Sequence, residues 1–286
     1  MNSFILFVFG AAIGSFLNVV ALRYDPDKFL LSPKVIGGRS HCPHCHKTLR
    51  WFELIPLVSF ALQGAQCRNC HAKVSFRYPL IEIVSGLIFV FVPARLATFY
   101  FLPATIHIQI LSALWVLVFE SLLLMSLIDA RLSLIPDEIN IFLIALGVGI
   151  VAGAQPGLSL AYGSFLKGYA MLFYFPNMLW VNHLFGAGVG LLIFGGIILA
   201  TRGRGMGLGD VKLAVPLGLI FGWPDILIVS GFSFVIGSVY GLYAMYAKGK
   251  HLKSALPFGP FLAIGAAVVF FFGFELVRFY FGLFLG

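Results

Sequence analysis

Residues 108–129 read IQILSALWVLVFESLLLMSLID, an apolar run closed by the carboxylate of Asp129. At about 1.5 Å per residue, a helix over 108–128 matches a hydrocarbon core ~30 Å thick, so this stretch is read as a membrane span. A carboxylate at the edge of such a span is costly to keep near lipid and points to a function. A second one, Asp210, follows Gly207-Leu208-Gly209 after another long apolar segment. In a chain of 286 residues with only 11 acidic groups, two carboxylates so placed suggest an acid/base pair.

Composition agrees with the membrane reading. Hydrophobic residues make up 60%, charged residues 10%, and phenylalanine alone occurs 31 times, which no ordinary soluble domain shows. The mean hydropathy is +1.00. Stretches 3–22, 79–101, 108–128, 139–153, 182–200, 226–247 and 257–285 can each span or nearly span a bilayer, and 211–223, with Pro216, is a shorter eighth candidate. The expected fold is an all-α polytopic membrane protein of about eight helices. The first stretch has no basic region ahead of Phe4 and no small-x-small cleavage site before Arg23, so it is expected to be a retained span. Its Gly10 and Gly14 form a GxxxG face suited to close helix packing.

Basic residues suggest an orientation. Nine of the 19 Lys/Arg lie between Arg23 and Arg77, three at Arg202, Arg204 and Lys212, and three at Lys248, Lys250 and Lys253. By the positive-inside rule these regions are cytoplasmic and the N-terminus periplasmic, which brings Asp129 and Asp210 out on the same cytoplasmic face. Residues 157–178 test this count, since a full crossing there would separate the two aspartates. With Lys167 at the centre and Pro156 and Pro176 near the ends, the segment is read as interfacial or re-entrant on the outer side. Three regions are expected: a first transmembrane helix over 1–22, a polar domain over 23–78, and a transmembrane catalytic domain over 79–286.

The polar domain holds all four cysteines, as Cys42-Pro43-His44-Cys45 and Cys67-Arg68-Asn69-Cys70. Two CxxC turns 21 residues apart have the spacing of a four-cysteine zinc ribbon. Two disulfides are the alternative, disfavoured on a reducing cytoplasmic face. His41, His44, His46 and His71 lie close enough in sequence to replace a cysteine, although exposed loop positions suit them better. So short a domain buries little core, so a bound metal would supply much of its folding energy. Nine basic and three acidic residues give it a charge of +6. No recognition-helix pattern accompanies that charge, so it is read as topogenic and no nucleic-acid partner is expected.

Pro136 should end any helix running on from Asp129, and Asp137 can then cap the next one. Asp129 has no comparable structural role beyond pairing with Arg131 or Lys212. Asp210 closes Gly203-Arg204-Gly205-Met206-Gly207-Leu208-Gly209, whose alternate glycines let another backbone approach closely, Gly207 and Gly209 above all. A simple glycine turn capped by Asp210 is the plainer reading of the same residues. The run lacks GxxxxGK[ST] and is no phosphate loop. Two close carboxylates share a proton, so one can activate water while the other polarises a carbonyl, and their apparent pKa values belong to the pair.

Six ordered blocks resemble the type IV prepilin peptidase family. They are Gly14-Ser15-Phe16-Leu17-Asn18-Val19-Val20, the two CxxC pairs, Arg77-Tyr78-Pro79-Leu80-Ile81-Glu82, Ile128-Asp129 through Ile135-Pro136-Asp137, Gly205 through Lys212, and Pro257-Phe258-Gly259-Pro260-Phe261. The resemblance implies an intramembrane aspartic peptidase of the bacterial inner membrane with Asp129 and Asp210 as its catalytic pair. It also implies prepilin or pseudopilin substrates cut on the cytoplasmic side between a basic leader and an apolar helix. Many members then N-methylate the new terminus from S-adenosylmethionine, and the cysteine-bearing loop favours that bifunctional type. Residues 156–181 depart from the family pattern as an insertion. Two readings from other classes are a transporter coupling protons or cations through the aspartates, and a membrane anchor recruiting partners through the basic domain. The missing inverted repeat and the ribbon count against the transporter.

Overall fold

The computed structural model describes residues 2–100, 106–153, 164–166, 169–170, 178–248 and 256–285. Among them the chain is helical: α1 (Ser3–Arg23), α2 (Pro33–Ile36), a 3-10 turn (Trp51–Leu54), α3 (Val58–Leu62), α4 (Arg77–Tyr100), α5 (Ile106–Leu132), α6 (Asp137–Gly153), α7 (Leu179–Thr201), α8 (Leu208–Phe221), α9 (Asp225–Lys248) and α10 (Gly259–Leu285). No strand forms among the described residues, only two isolated bridges, His41 with Thr48 and Gln66 with Lys73. Each of the eight apolar stretches becomes a helix. Six of them (α1, α4, α5, α7, α9 and α10) are long and apolar enough to cross a membrane. The other two, α6 with 17 residues and α8 with 14, are shorter.

The chain divides into two compact units, Met1–Thr98 and Phe99–Gly286. In the first, α1 lies against α4 along the GxxxG face. A Cβ on Gly10 would fall 2.8 Å from the Ser85 carbonyl oxygen, and one on Gly14 would fall 2.9 Å from that of Ile81, so only glycine allows this approach. Ser85 Oγ donates to the Gly10 carbonyl at 2.6 Å, tying the helices where they touch. Between them, Arg23 closes the start of the connecting loop by donating to the Gly37 carbonyl and, at 2.9 Å, to that of Arg39. Buried Glu82 on α4 fastens the loop's far side, accepting from the Leu57 backbone N–H at 2.8 Å.

In the second unit the short helix α8 is the centre. Ten of its 14 residues are buried, from Asp210 to Phe221, against α6 and α7. The α7–α8 contact is backbone on backbone: a Cβ on Gly186 would sit 2.6 Å from the Gly218 carbonyl oxygen. Beside the C-terminal end of α8, Trp115 gathers Phe165, Phe221 and Phe270 within ring-centroid distances of 5.1, 5.4 and 4.8 Å. Such edge and tilted pairs add to what area burial alone provides. Most of 157–178 lies outside the described residues. Of its described residues, Ser164–Leu166 are buried and held by Asp225, which accepts from Ser164 Oγ and, at 2.8 Å, from the Phe165 backbone N–H.

Candidate active site and metal centre

The cysteines of the first unit converge. Their four Sγ atoms lie within 4.8 Å of one another, with Cys42 and Cys70 at 3.8 Å, and none is in a disulfide. Tetrahedral zinc with bonds of about 2.3 Å needs sulfur separations of about 3.8 Å, so the donor set fits such an ion. The two knuckles are built alike. The Cys42 N–H donates to the Lys47 carbonyl at 3.0 Å and the Cys67 N–H to that of Ala72 at 2.9 Å. His46 and His71 turn each knuckle at φ of 55° and 56°. Backbone N–H groups of Cys70 and Asn69 pull the Cys67 thiol down to about 6, and that of Lys47 lowers Cys45. At Cys70 the Ala72 N–H is outweighed by burial and the neighbouring cysteines, which push it up to about 11, so the cluster favours some thiolates but not all four before any metal arrives. Asn69 joins the halves, donating to Cys45 Sγ at 3.6 Å while accepting from Lys47 Nζ at 2.9 Å. His41, His44, His46 and His71 are exposed and outside the sulfur cluster.

The second unit holds the two aspartates. Asp129, in the last turn of α5, is only 4% exposed, and its Oδ2 accepts from the Gly259 backbone N–H at 2.9 Å. Asp210, in the first turn of α8, is 9% exposed, and its Oδ2 accepts from the Gly207 N–H at 3.3 Å. The glycine turn capped by Asp210, the plainer reading of this run, is therefore present alongside the burial of its carboxylate. Asp129 and Asp210, 81 positions apart in sequence, lie close enough for the charge of Asp129 to bear on Asp210, in addition to its burial. Two groups so coupled can divide into one proton holder and one base.

Their surroundings sort the other sequence candidates. Lys212 Nζ is bound to both oxygens of Asp137, at 2.8 and 2.9 Å, which draws it away from the Asp129 pairing considered above. Asp137 is itself the first residue of α6, so besides starting that helix it ties α6 to α8 two residues past Asp210. A Cβ on Gly209 would meet Ile135 Cβ at 3.3 Å, whereas one on Gly207 has only Asp210 Oδ2, at 3.6 Å, and the Gly209 nitrogen, at 3.9 Å, within 4 Å. Gly207 borders free space beside a carboxylate, and Gly209 is a packing position. The sequence reading assigned no role to Gly259, Glu82 or Asp225. The motif Pro257–Phe261 was a signal for the first, and the Pro224-Asp225 helix start for the last.

The family description "Bacterial Peptidase A24 N-terminal domain" matches residues 8–96, and "Type IV leader peptidase family" matches residues 115–242. The prepilin leader peptidase/N-methyltransferase of Bacillus subtilis (strain 168) is 30% identical over 283 residues, covering 99% of each chain. That of Aeromonas hydrophila is 30% identical over 301 residues, with 98% of this chain and 94% of the relative covered. That of Pseudomonas aeruginosa is 29% identical over 294 residues, with 95% and 90% covered. No solved structure matches the chain. With buried aspartates at 129 and 210, a four-cysteine cluster and relatives alike from end to end, the chain belongs to the type IV leader peptidase family.

Proposed function

We propose that this protein is a peptidase of the bacterial inner membrane that removes the short basic leader of type IV prepilins or pseudopilins, with Asp129 and Asp210 as its catalytic pair. The observation that carries this reading is the coupled, buried pair itself, formed by the end of one apolar helix and the start of a short one. The ionised aspartate takes a proton from water as it attacks the scissile carbonyl, while the protonated one donates to the carbonyl oxygen. Helix α8, at 14 residues, measures only about 21 Å, well short of a ~30 Å core, which gives water a route to Asp210 at its start. The free space beside Gly207 suits an extended substrate backbone passing the carboxylates, with Gly209 setting the loop against Ile135.

Positive charge at 23–78 and at 202–212 supports a periplasmic N-terminus with both aspartates at the cytoplasmic face, where a basic leader would remain while its apolar helix stays in lipid. Residues 23–78 serve as a cytoplasmic ribbon inserted after the first span, 1–22, and ahead of the catalytic region, 79–286. Zinc on Cys42, Cys45, Cys67 and Cys70 holds the ribbon folded, and with four protein ligands it has no open position for hydrolysis. N-methylation of the new terminus, with S-adenosylmethionine as donor, is carried by the resemblance and by the names of the relatives.

Co-expression with a prepilin-like substrate tests the reading. A mass loss equal to the leader, absent with Asp129→Asn or Asp210→Asn, is the expected result, and intact substrate alongside folded wild-type protein overturns it.

A further inference from the structure

We propose that Gly259 is a positioning residue for Asp129, which makes the start of α10 a third wall of the active site. This rests on the reading of Asp129 as one of the catalytic pair.

The hydrogen bonds of the turn lead to this assignment. A helix start leaves its first N–H groups without partners inside the helix. Here Pro260 has none to offer, and those of Phe261 and Leu262 donate to the Phe258 carbonyl at 3.0 and 3.2 Å. The Gly259 N–H donates outward instead, to Asp129 Oδ2 at 2.9 Å. It does so from the positive end of a 27-residue helix, where a negative charge is favoured. The turn is itself anchored, because the Phe258 ring stands 5.2 Å from Phe234 and 6.1 Å from Phe194, centroid to centroid.

The missing side chain matters as much as the N–H. A Cβ at 259 would come within 2.8 Å of Asp129 Oδ2 and 2.6 Å of Met125 Sδ, and Met125 is fully buried one turn before Asp129 on α5. Any other residue must displace the carboxylate or the methionine. A donor fixed on one oxygen holds the Asp129 side chain in a single orientation and favours its charged form, which suits the base that activates water. The bond from Gly207 to Asp210 is longer, at 3.3 Å, consistent with Asp210 as the proton holder.

The test measures leader cleavage by the full chain in nanodiscs across a range of pH. Gly259→Ala is expected to lower kcat about 100-fold, the cost of a small misplacement, with KM within about twofold. The acid limb of its kcat profile should move to higher pH, because the added methyl pushes the carboxylate off the N–H of residue 259, and a carboxylate that loses its donor needs a higher pH to ionise. Gly265→Ala is the packing control: its Cβ would crowd Val229 and Ser233 on α9, so it should lower thermal stability and leave the acid limb in place. Met125→Ala combined with Gly259→Ala separates the two clashes, and recovery of wild-type kcat by the double variant overturns the proposal. Should Gly259→Ala fail to fold, glycolic acid incorporated at 259 removes the N–H without adding an atom, and an unchanged acid limb there also overturns it. Asp129→Asn in the same assay tells the two readings apart. If it cleaves normally, the catalytic assignment is wrong and this proposal falls with it. If it is dead while both changes at 259 are silent, only the role of Gly259 is lost.

Discussion

The two units of this chain build their sites by opposite routes. In the first, two local turns of nearly identical geometry each present a pair of thiols, and the cluster needs only that the turns meet. In the second, the proposed site would be assembled from three helix ends at residues 129, 210 and 259, none of which carries more than one of its parts. The first kind is encoded in spacing and would be stabilised by a bound metal, whereas the second is encoded in packing, with glycines at its close contacts. The two should therefore fail differently.

Removing a carboxyl charge is the largest perturbation. Asp129→Asn or Asp210→Asn should each reduce leader cleavage about 10²–10⁴-fold, since each abolishes the proposed proton-transfer role at nearly constant shape. Both variants should keep the metal content of the first unit, as measured by elemental analysis of purified protein. A variant that lost metal and cleavage together would show that the units are not independent.

Replacing a metal ligand attacks the other side of the contrast. Cys42→Ser or Cys67→Ser removes one of four donors from a site whose metal contributes, in comparable small domains, about 10–16 kcal/mol of folding free energy. Limited proteolysis should then cut within residues 24–76 while α5 to α10 stay protected. Chelation of the wild-type protein should reproduce the pattern. Full protection after metal loss would show that Glu82 and Arg23 hold the loop without the ion.

This contrast also explains what the sequence made visible. A CxxC pair states its own geometry, the 108–128 span states its length, and Gly10 with Gly14 announces a close helix contact that the α1–α4 packing then uses. The Gly259–Asp129 bond joins residues 130 apart and the Lys212–Asp137 pair residues 75 apart, and no periodicity links either. Asp137 read alone suggests a helix start, and Lys212 read alone suggests a partner for the nearest unexplained carboxylate. Only the packing of α6 on α8 shows that they answer each other. Likewise, nothing near Asp225 in sequence announces its bonds to Ser164 and Phe165, 61 and 60 positions away.

A packing lesion should be smaller than either of these and confined to the second unit. Gly218→Ala drives a methyl into the α7 backbone at Gly186 and Ala187, where no flexible side chain can yield. Overpacking of this kind typically costs about 1–3 kcal/mol, to be read as a lower melting temperature of the detergent-solubilised protein with metal content unchanged. A melting temperature equal to wild type would mean that α7 and α8 sit farther apart than the glycine contact requires.

The smallest effect separates two glycines two residues apart. Gly207 precedes α8 with φ of −80° and ψ of 152°, a conformation any residue adopts, and a Cβ there has nothing closer than 3.6 Å. Gly207→Ala loses about 0.5–1 kcal/mol as a helix cap but regains a similar amount by restricting the unfolded chain, so stability should stay within about 0.5 kcal/mol of wild type. Gly209 lies within the first turn of α8, where alanine is intrinsically better by about 1 kcal/mol, yet its Cβ would press on Ile135 at 3.3 Å. Whether Ile135 can give way decides the sign, so Ile135→Val, which at a buried site typically costs about 0.5–1.5 kcal/mol, should lower the melting temperature less in the Gly209→Ala background than in wild type. Cleavage should rank the two positions the other way. A leucine at 207 grows into the free space beside Asp210 and should block substrate while leaving the protein folded. If Gly207→Leu cleaves at the wild-type rate, that space is not where the substrate passes, and the approach to the carboxylates must lie on another side of α8.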